Sequence, residues 1–482
     1  MRATGQIDYR PFGLAFLLVT AAVVPVFFLA HQAVAPAMLL LASLLVISRP
    51  EYGLLALLAT LPVNSFMLRV AEDTYRNIFL ADMLVTVTAV SWLLTRLAGR
   101  RPAYPGTNND WLLALFLFWA GLSLVWTPHL ALGSFLVAKV GLGCLVFGLC
   151  VTLVRDRETL QAALWVVIAV GVVEAALCYV SIFTTTGFME RHHLYGDISY
   201  HNWFWAKNLT EDSKRGHSTD TAHNIGVFLD VPFFFCMALF LVTKSAKRRA
   251  MLAAAGIVIA AGVMTTMTKG AWAALIAGWA FVAVNLRPLR GKLLRVATLS
   301  LAVMLALFLL ARAQDLVKSV DVIGHQLESE DKKTSVGSRL SWWTMGMQRF
   351  LDSQGLGWGA GGFIRAVDNF VPDGTHAAVV FDFGLPGALL WLGLFVNVAL
   401  HVRRVYKRCR NEYYRRMLLV YLGGFVMLVL SWTVTLHYGY MYPWAYLGLG
   451  YALANLAEQA SPEDRERLPF DSPLTTGRRP VW

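Results

Sequence analysis

Residues 224–286 read NIGVFLDVPFFFCMALFLVTKSAKRRAMLAAAGIVIAAGVMTTMTKGAWAALIAGWAFVAVNL. Three apolar runs, 224–243, 250–267 and 271–286, are each about long enough to cross a hydrocarbon core as a helix. The basic cluster Lys244, Lys247, Arg248 and Arg249 separates the first two. The apolar stretch from Ala250 to Val284 is too long for one crossing, so the chain must turn at Lys269-Gly270 on the opposite side. Spans separated alternately by a basic cluster and a tight turn are the pattern of a polytopic α-helical membrane protein.

The pattern extends in both directions. Further apolar runs stand near 12–30, 33–48, 53–68, 78–95, 111–126, 131–153, 159–183, 293–311, 376–400, 417–436 and 440–457. The fold class expected is therefore an all-α integral membrane protein, a bundle of about 12–14 transmembrane helices with two long external loops. Several runs are short and interrupted by Pro25, Pro36 or Pro62, so re-entrant or interfacial pieces are equally consistent. Of the 482 residues, 57% are hydrophobic and only 15% charged, with mean hydropathy +0.55, far from the quarter charged of a soluble domain.

Basic residues set the orientation. Arg96/Arg100/Arg101, Arg155/Arg157, the 244–249 cluster, Arg287/Arg290/Lys292/Arg295 and Arg403/Arg404/Lys407/Arg408/Arg410 fall on alternate connections, together with Arg2 and Arg10. That side is expected to be the cytoplasm, with both termini in it. The net charge of +12 then reflects topology and not a nucleic-acid partner. The five cysteines avoid the external loops, so neither a disulfide framework nor a cysteine metal site is expected. The N-terminal apolar run has no small-residue cleavage site and reads as a retained helix. The organisation expected is N-terminal helices over 1–183, a loop over 184–223, central helices over 224–311, a second loop over 312–375, C-terminal helices over 376–460 and a polar tail over 461–482.

The second loop is the most informative segment for function. It carries Gly337-Ser-Arg339, Trp342-Trp343, and Gly355-Leu-Gly-Trp-Gly-Ala-Gly-Gly362, and it ends at Thr375-His376. Ser338 to Phe350 has helical spacing with Arg339, Trp342, Trp343 and Gly346 on one face. Gly355 to Gly362 cannot continue a helix and predicts a tight loop where backbone approaches something closely. Thr375 is expected to cap the next helix, with His376 in its first turn.

An imidazole titrating near pH 6.5 can accept a proton from a hydroxyl at neutral pH, which makes His376 the candidate general base. Arg339, Arg215 and Arg191, with the loop residue Arg365, offer guanidinium groups suited to phosphate oxygens. Lys269 and Lys139 are cations at membrane depth, where charge is costly and usually functional, and Glu174, Asp230 and Asp382 are the anions available to pair with them. Trp342, Trp343 and Trp203 could stack on sugar faces, although an aromatic belt would place tryptophans there equally well. No metal, nucleotide or other cofactor motif stands out.

These residues resemble the O-antigen ligase and polymerase superfamily of bacterial polysaccharide enzymes over roughly residues 200–450. The matching pieces are Arg215-Gly216 with His223-Asn224, Thr268-Lys-Gly-Ala271, Arg339 with Trp342/Trp343, Gly355-Leu-Gly-Trp-Gly359, and His376 with Phe383-Gly-Leu-Pro-Gly387. The resemblance implies a glycosyltransferase of the bacterial inner membrane that works at the periplasmic face without metal or nucleotide. The donor would be an undecaprenyl-diphosphate-linked polysaccharide. His376 and Arg339 would be catalytic; Lys269, Arg215, Arg191 and Lys139 would hold the diphosphate. Among acceptors, lipid A-core comes first, as in an O-antigen ligase, with polymerase and protein O-glycosylation ligase as alternatives. A lipid-linked-glycan transporter or an assembly scaffold is the rival from another class.

Overall fold

The computed structural model describes residues 49–62, 67–68, 78–99, 104–183, 222–266, 268–286, 335–363, 374–433 and 439–460. The protein is an all-α polytopic membrane protein. Its helices are α1 (Pro50–Ala59), α2 (Leu80–Leu97), α3 (Asp110–Leu122), α4 (Leu130–Leu153), α5 (Arg157–Phe183) and α6 (Ala222–Val242). They continue with α7 (Ala246–Thr265), α8 (Lys269–Asn285), α9 (Ser335–Asp352), α10 (Thr375–Arg408), α11 (Glu412–Ser431) and α12 (Met441–Gln459). Among the described residues, six helices (α4, α5, α6, α7, α10 and α11) are long and apolar enough to cross a membrane.

Most of the expected spans form helices within a few residues of their predicted bounds. The run 53–68 does not. Helix α1 stops at Ala59, and Met67–Leu68 is extended, pairing antiparallel with Ile78–Phe79. Pro62 is the physical reason available in the sequence, since it has no N–H with which to continue a helix. The runs 12–30, 33–48 and 293–311 and the tail 461–482 lie outside the described residues.

Small residues let the helices approach closely, as membrane bundles require. A Cβ on Gly278 of α8 would lie 2.5 Å from the Gly423 carbonyl of α11, and one on Gly143 of α4 would lie 2.4 Å from the Trp444 indole of α12. Trp444, Trp391 and Trp432 form a continuous aromatic column with Phe395 at the centre of the C-terminal half.

The two ends of the bundle differ. At one end lie Thr375, whose N–H donates to the Trp432 carbonyl at 2.8 Å, and Asn224, whose amide donates to the Tyr440 hydroxyl. The α7–α8 turn, where Gly226 meets Thr266 and Thr268, lies at this end too. At the other, Arg157 stacks on Tyr413 at 3.7 Å and Arg416 donates to the Leu241 carbonyl at 3.1 Å. Arg157 and Arg416 thus lie opposite the end that holds Thr375 and Asn224.

Candidate active site

Helix α10 is interrupted one third of the way along. Gly384 adopts φ 68° and ψ −168°, and Pro386 follows. In an unbroken helix the Leu385 N–H would bond the Phe381 carbonyl, while Pro386, with no N–H, could not serve the Asp382 carbonyl. Both carbonyls are instead taken by the glycine loop, from Trp358 N–H and Gly359 N–H at 2.9 Å each. The displaced Leu385 N–H donates to the Gly355 carbonyl, also at 2.9 Å. The Phe383 carbonyl accepts from the Trp119 indole at 2.7 Å, and the Asp382 carboxylate accepts from Phe363 N–H at 3.1 Å. Buried backbone groups at a helix break must find such partners.

The glycine loop is therefore the close-approach loop that its sequence predicts. Gly357 has φ 77°, and a Cβ there would lie 2.5 Å from the Gly384 nitrogen. On its other side the loop docks just past the C-terminal end of α3. Ala360 N–H donates to the Ser123 hydroxyl at 3.1 Å, and the Thr127 hydroxyl donates to the Ala360 carbonyl at 2.9 Å.

The interruption leaves residues 375–383 as a half-helix that carries His376. Its cap is Gly374, at φ 110°, and not the expected Thr375. The reason is steric: a Cβ at 374 would lie 2.7 Å from the Thr433 carbonyl. His376 is half-buried in the first turn, edge-on to Trp432, with Nε2 3.1 Å from the Val429 carbonyl. A carbonyl can only accept, so Nε2 carries the hydrogen and Nδ1 is left as the basic nitrogen.

Helix α9 packs on this half-helix through Gly346, whose Cβ position lies 2.5 Å from the Phe381 ring. Gly355, just past the end of α9, meets Leu385, so α9 and α10 run in the same direction. Arg339 belongs to α9 two turns before Gly346, ~10 Å along the axis toward the end where His376 lies. The side chains of 335–343 lie outside the described set, as do Arg191, Trp203, Arg215 and Arg365.

The two lysines prove to be unlike. Lys139 is buried and its ammonium lies 2.7 Å from both carboxylate oxygens of Asp82. The partner is none of the anticipated Glu174, Asp230 and Asp382, because packing of α2 on α4 supplies the carboxylate. An ion pair of this kind neutralises Lys139 and leaves it poorly suited to holding a diphosphate. Lys269 is the first residue of α8, on the surface and turned away from the buried Ala271 and Ala274, with no carboxylate in contact among the described residues. Helix α7 ends at Thr265 and α8 begins at Lys269, so the chain turns a step earlier than expected. Asp230 is fully buried on α6, and among the described residues neither of its carboxylate oxygens has a hydrogen-bond partner.

Sequence reasoning missed Asp82, Ser123, Thr127 and Trp119. The break at Gly384 carried a signal, a glycine and a proline two residues apart inside an apolar run. Among the described residues no three His, Cys, Asp or Glu side chains gather to hold a metal ion. No protein-family model matches the chain, and no curated protein is similar to it.

Proposed function

We propose that the protein is an O-antigen-ligase-type glycosyltransferase of the bacterial inner membrane. It would transfer polysaccharide from undecaprenyl diphosphate to a hydroxyl of lipid A-core at the periplasmic face, with both termini cytoplasmic. The observation that carries this reading is the half-helix 375–383, which is split from α10, repaired by the glycine loop, and bears a histidine with Nδ1 available. Irregular backbone of this kind in a membrane bundle belongs where a site is being shaped. The sequence resemblance supplies the substrate class.

In this mechanism His376 Nδ1 takes the proton of the acceptor hydroxyl as its oxygen attacks the anomeric carbon. The bond from that carbon to the diphosphate oxygen breaks, and its electron pair leaves with undecaprenyl diphosphate, inverting the centre. Arg339, with Lys269, Arg215 and Arg191, offsets the negative charge that develops there. Trp342, Trp343 and Trp203 flank the glycan. Lys139, paired with Asp82, holds α4 to α2 instead of binding the donor. Polymerase or protein O-glycosylation ligase chemistry differs only in the acceptor.

The test is transfer by the purified protein given lipid-linked glycan and lipid A-core without ATP. His376→Ala should lower the rate roughly 10²–10⁴-fold while leaving folding and donor binding intact. A rate within about threefold of the parent removes His376 from the mechanism. Donor that is carried across vesicles unchanged, with no product formed, would favour a transporter.

A further inference from the structure

Helix α9 has three distinct faces. Gly346 and Phe350 face the bundle, where Gly346 meets Phe381 and Phe363. A second strip, Met347 and Leu351, is apolar and open, at 50% and 67% exposure. A third strip, Gln348, Arg349 and Asp352, is polar and open. A helix in water needs no second strip, and a helix buried in lipid cannot hold the third. Apolar and polar strips side by side fit a helix lying in the plane of a membrane interface.

The apolar strip is continuous with the membrane face of the bundle. It passes from Leu351 to Leu356, which is 49% exposed and sits beside the break, where Leu385 N–H bonds the Gly355 carbonyl. From Leu385 the line continues down α10 through Leu389, Leu392, Val396 and Leu400, all open and spaced three or four apart. Arg403 and Arg404 end it eighteen residues below Leu385, ~27 Å by helical rise and close to the thickness of a hydrocarbon core. Leu356 and α9 therefore stand at the boundary of the leaflet on the Thr375 side.

We propose that α9 is an interfacial lipid-binding helix: Met347, Leu351 and Leu356 insert among phospholipid acyl chains of that leaflet, while Gln348, Arg349 and Asp352 face the headgroups and water. The occupant is bilayer lipid because the strip continues a surface that lipid already covers. Lipid contact here requires only the membrane fold and no particular reaction.

A photoreactive benzophenone amino acid placed singly at 347, 351, 356, 348 or 352 tests this in the full-length protein. The protein is reconstituted into phosphatidylethanolamine–phosphatidylglycerol vesicles, irradiated and analysed by intact mass. Phospholipid adducts at 347, 351 and 356, at least fivefold above those at 348 and 352, are expected. Adducts to a second protein chain at 347 and 351, equal lipid adducts at all five positions, or none at any would each overturn the proposal. All five side chains are surface groups, and only variants that melt with the parent are compared, so loss of one position leaves the others to decide.

Discussion

Among the described residues, two helices carry a proline in mid-course, and they treat it in opposite ways. In α6, Pro232 leaves the helix continuous from Ala222 to Val242, and the ring packs against Gly171 of α5. In α10, Pro386 follows a glycine at positive φ, and the helix breaks so fully that another segment takes over its hydrogen bonds. A lone proline removes one donor and crowds one carbonyl, which a helix with a small neighbour can accommodate. Proline with a left-handed glycine two residues before it redirects the chain, and the freed carbonyls then need donors from elsewhere. The first proline serves packing; the second presents a half-helix with His376 in its first turn.

The largest effect should follow from closing the break. Gly384→Ala puts a methyl 2.3 Å from the Leu356 carbonyl carbon at φ 68°. Overpacking and backbone strain each contribute about 1–3 kcal/mol, so a loss of about 4 kcal/mol and of nearly all transfer is expected. Thermal unfolding in detergent and initial rates check both; a variant that melts and transfers like the parent would mean the loop does not hold the break. Next is the buried ion pair, a yardstick for what a true core contact is worth. Asp82→Ala removes the carboxylate from the Lys139 ammonium and should cost about 3 kcal/mol, with much of it recovered when Lys139→Met is added. Failure of the second change to restore stability would give Lys139 a role beyond the pair. Trp119→Phe removes one donor from the Phe383 carbonyl, should cost about 1–2 kcal/mol, and should slow transfer severalfold without unfolding the bundle. An unchanged rate would show that the half-helix tolerates movement at its base.

Much of the bundle was legible because hydropathy and basic turns report directly on lipid crossing. The helical spacing of 338–350 and the close approach of 355–362 were legible too, since periodicity and glycine are local signals. What stayed hidden depends on contacts across the chain. Lys139 and Lys269 looked alike, each a cation in an apolar run, and only the packing of α2 on α4 separates a neutralised lysine from an open one. The break at Gly384 was invisible to hydropathy because Phe383, Leu385 and their neighbours are apolar whether or not the helix continues. Thr375 looked like a cap because its hydroxyl suits one, whereas the proximity of Thr433, 58 residues later, gives that place to Gly374.

The smallest effect concerns the other proline. Pro232→Ala restores an N–H that can bond the Phe228 carbonyl within α6, and it removes ring atoms that pack on Gly171. Gain and loss are each about 1 kcal/mol, so the net change should be within about 1 kcal/mol, and transfer should be unaltered. Gly171→Ala alone should cost more, because its methyl would lie 2.5 Å from the proline Cγ. The informative quantity is the coupling between the two. If the glycine exists to make room for the ring, Gly171→Ala should become nearly harmless once Pro232→Ala has removed it, with a coupling of about 1 kcal/mol or more in a double-mutant cycle. Additive losses would mean that the two residues do not form a unit and that α6 bears its proline by another means. Loss of transfer in Pro232→Ala at unchanged stability would go further, because it would make the unbroken helix, like the broken one, part of the site.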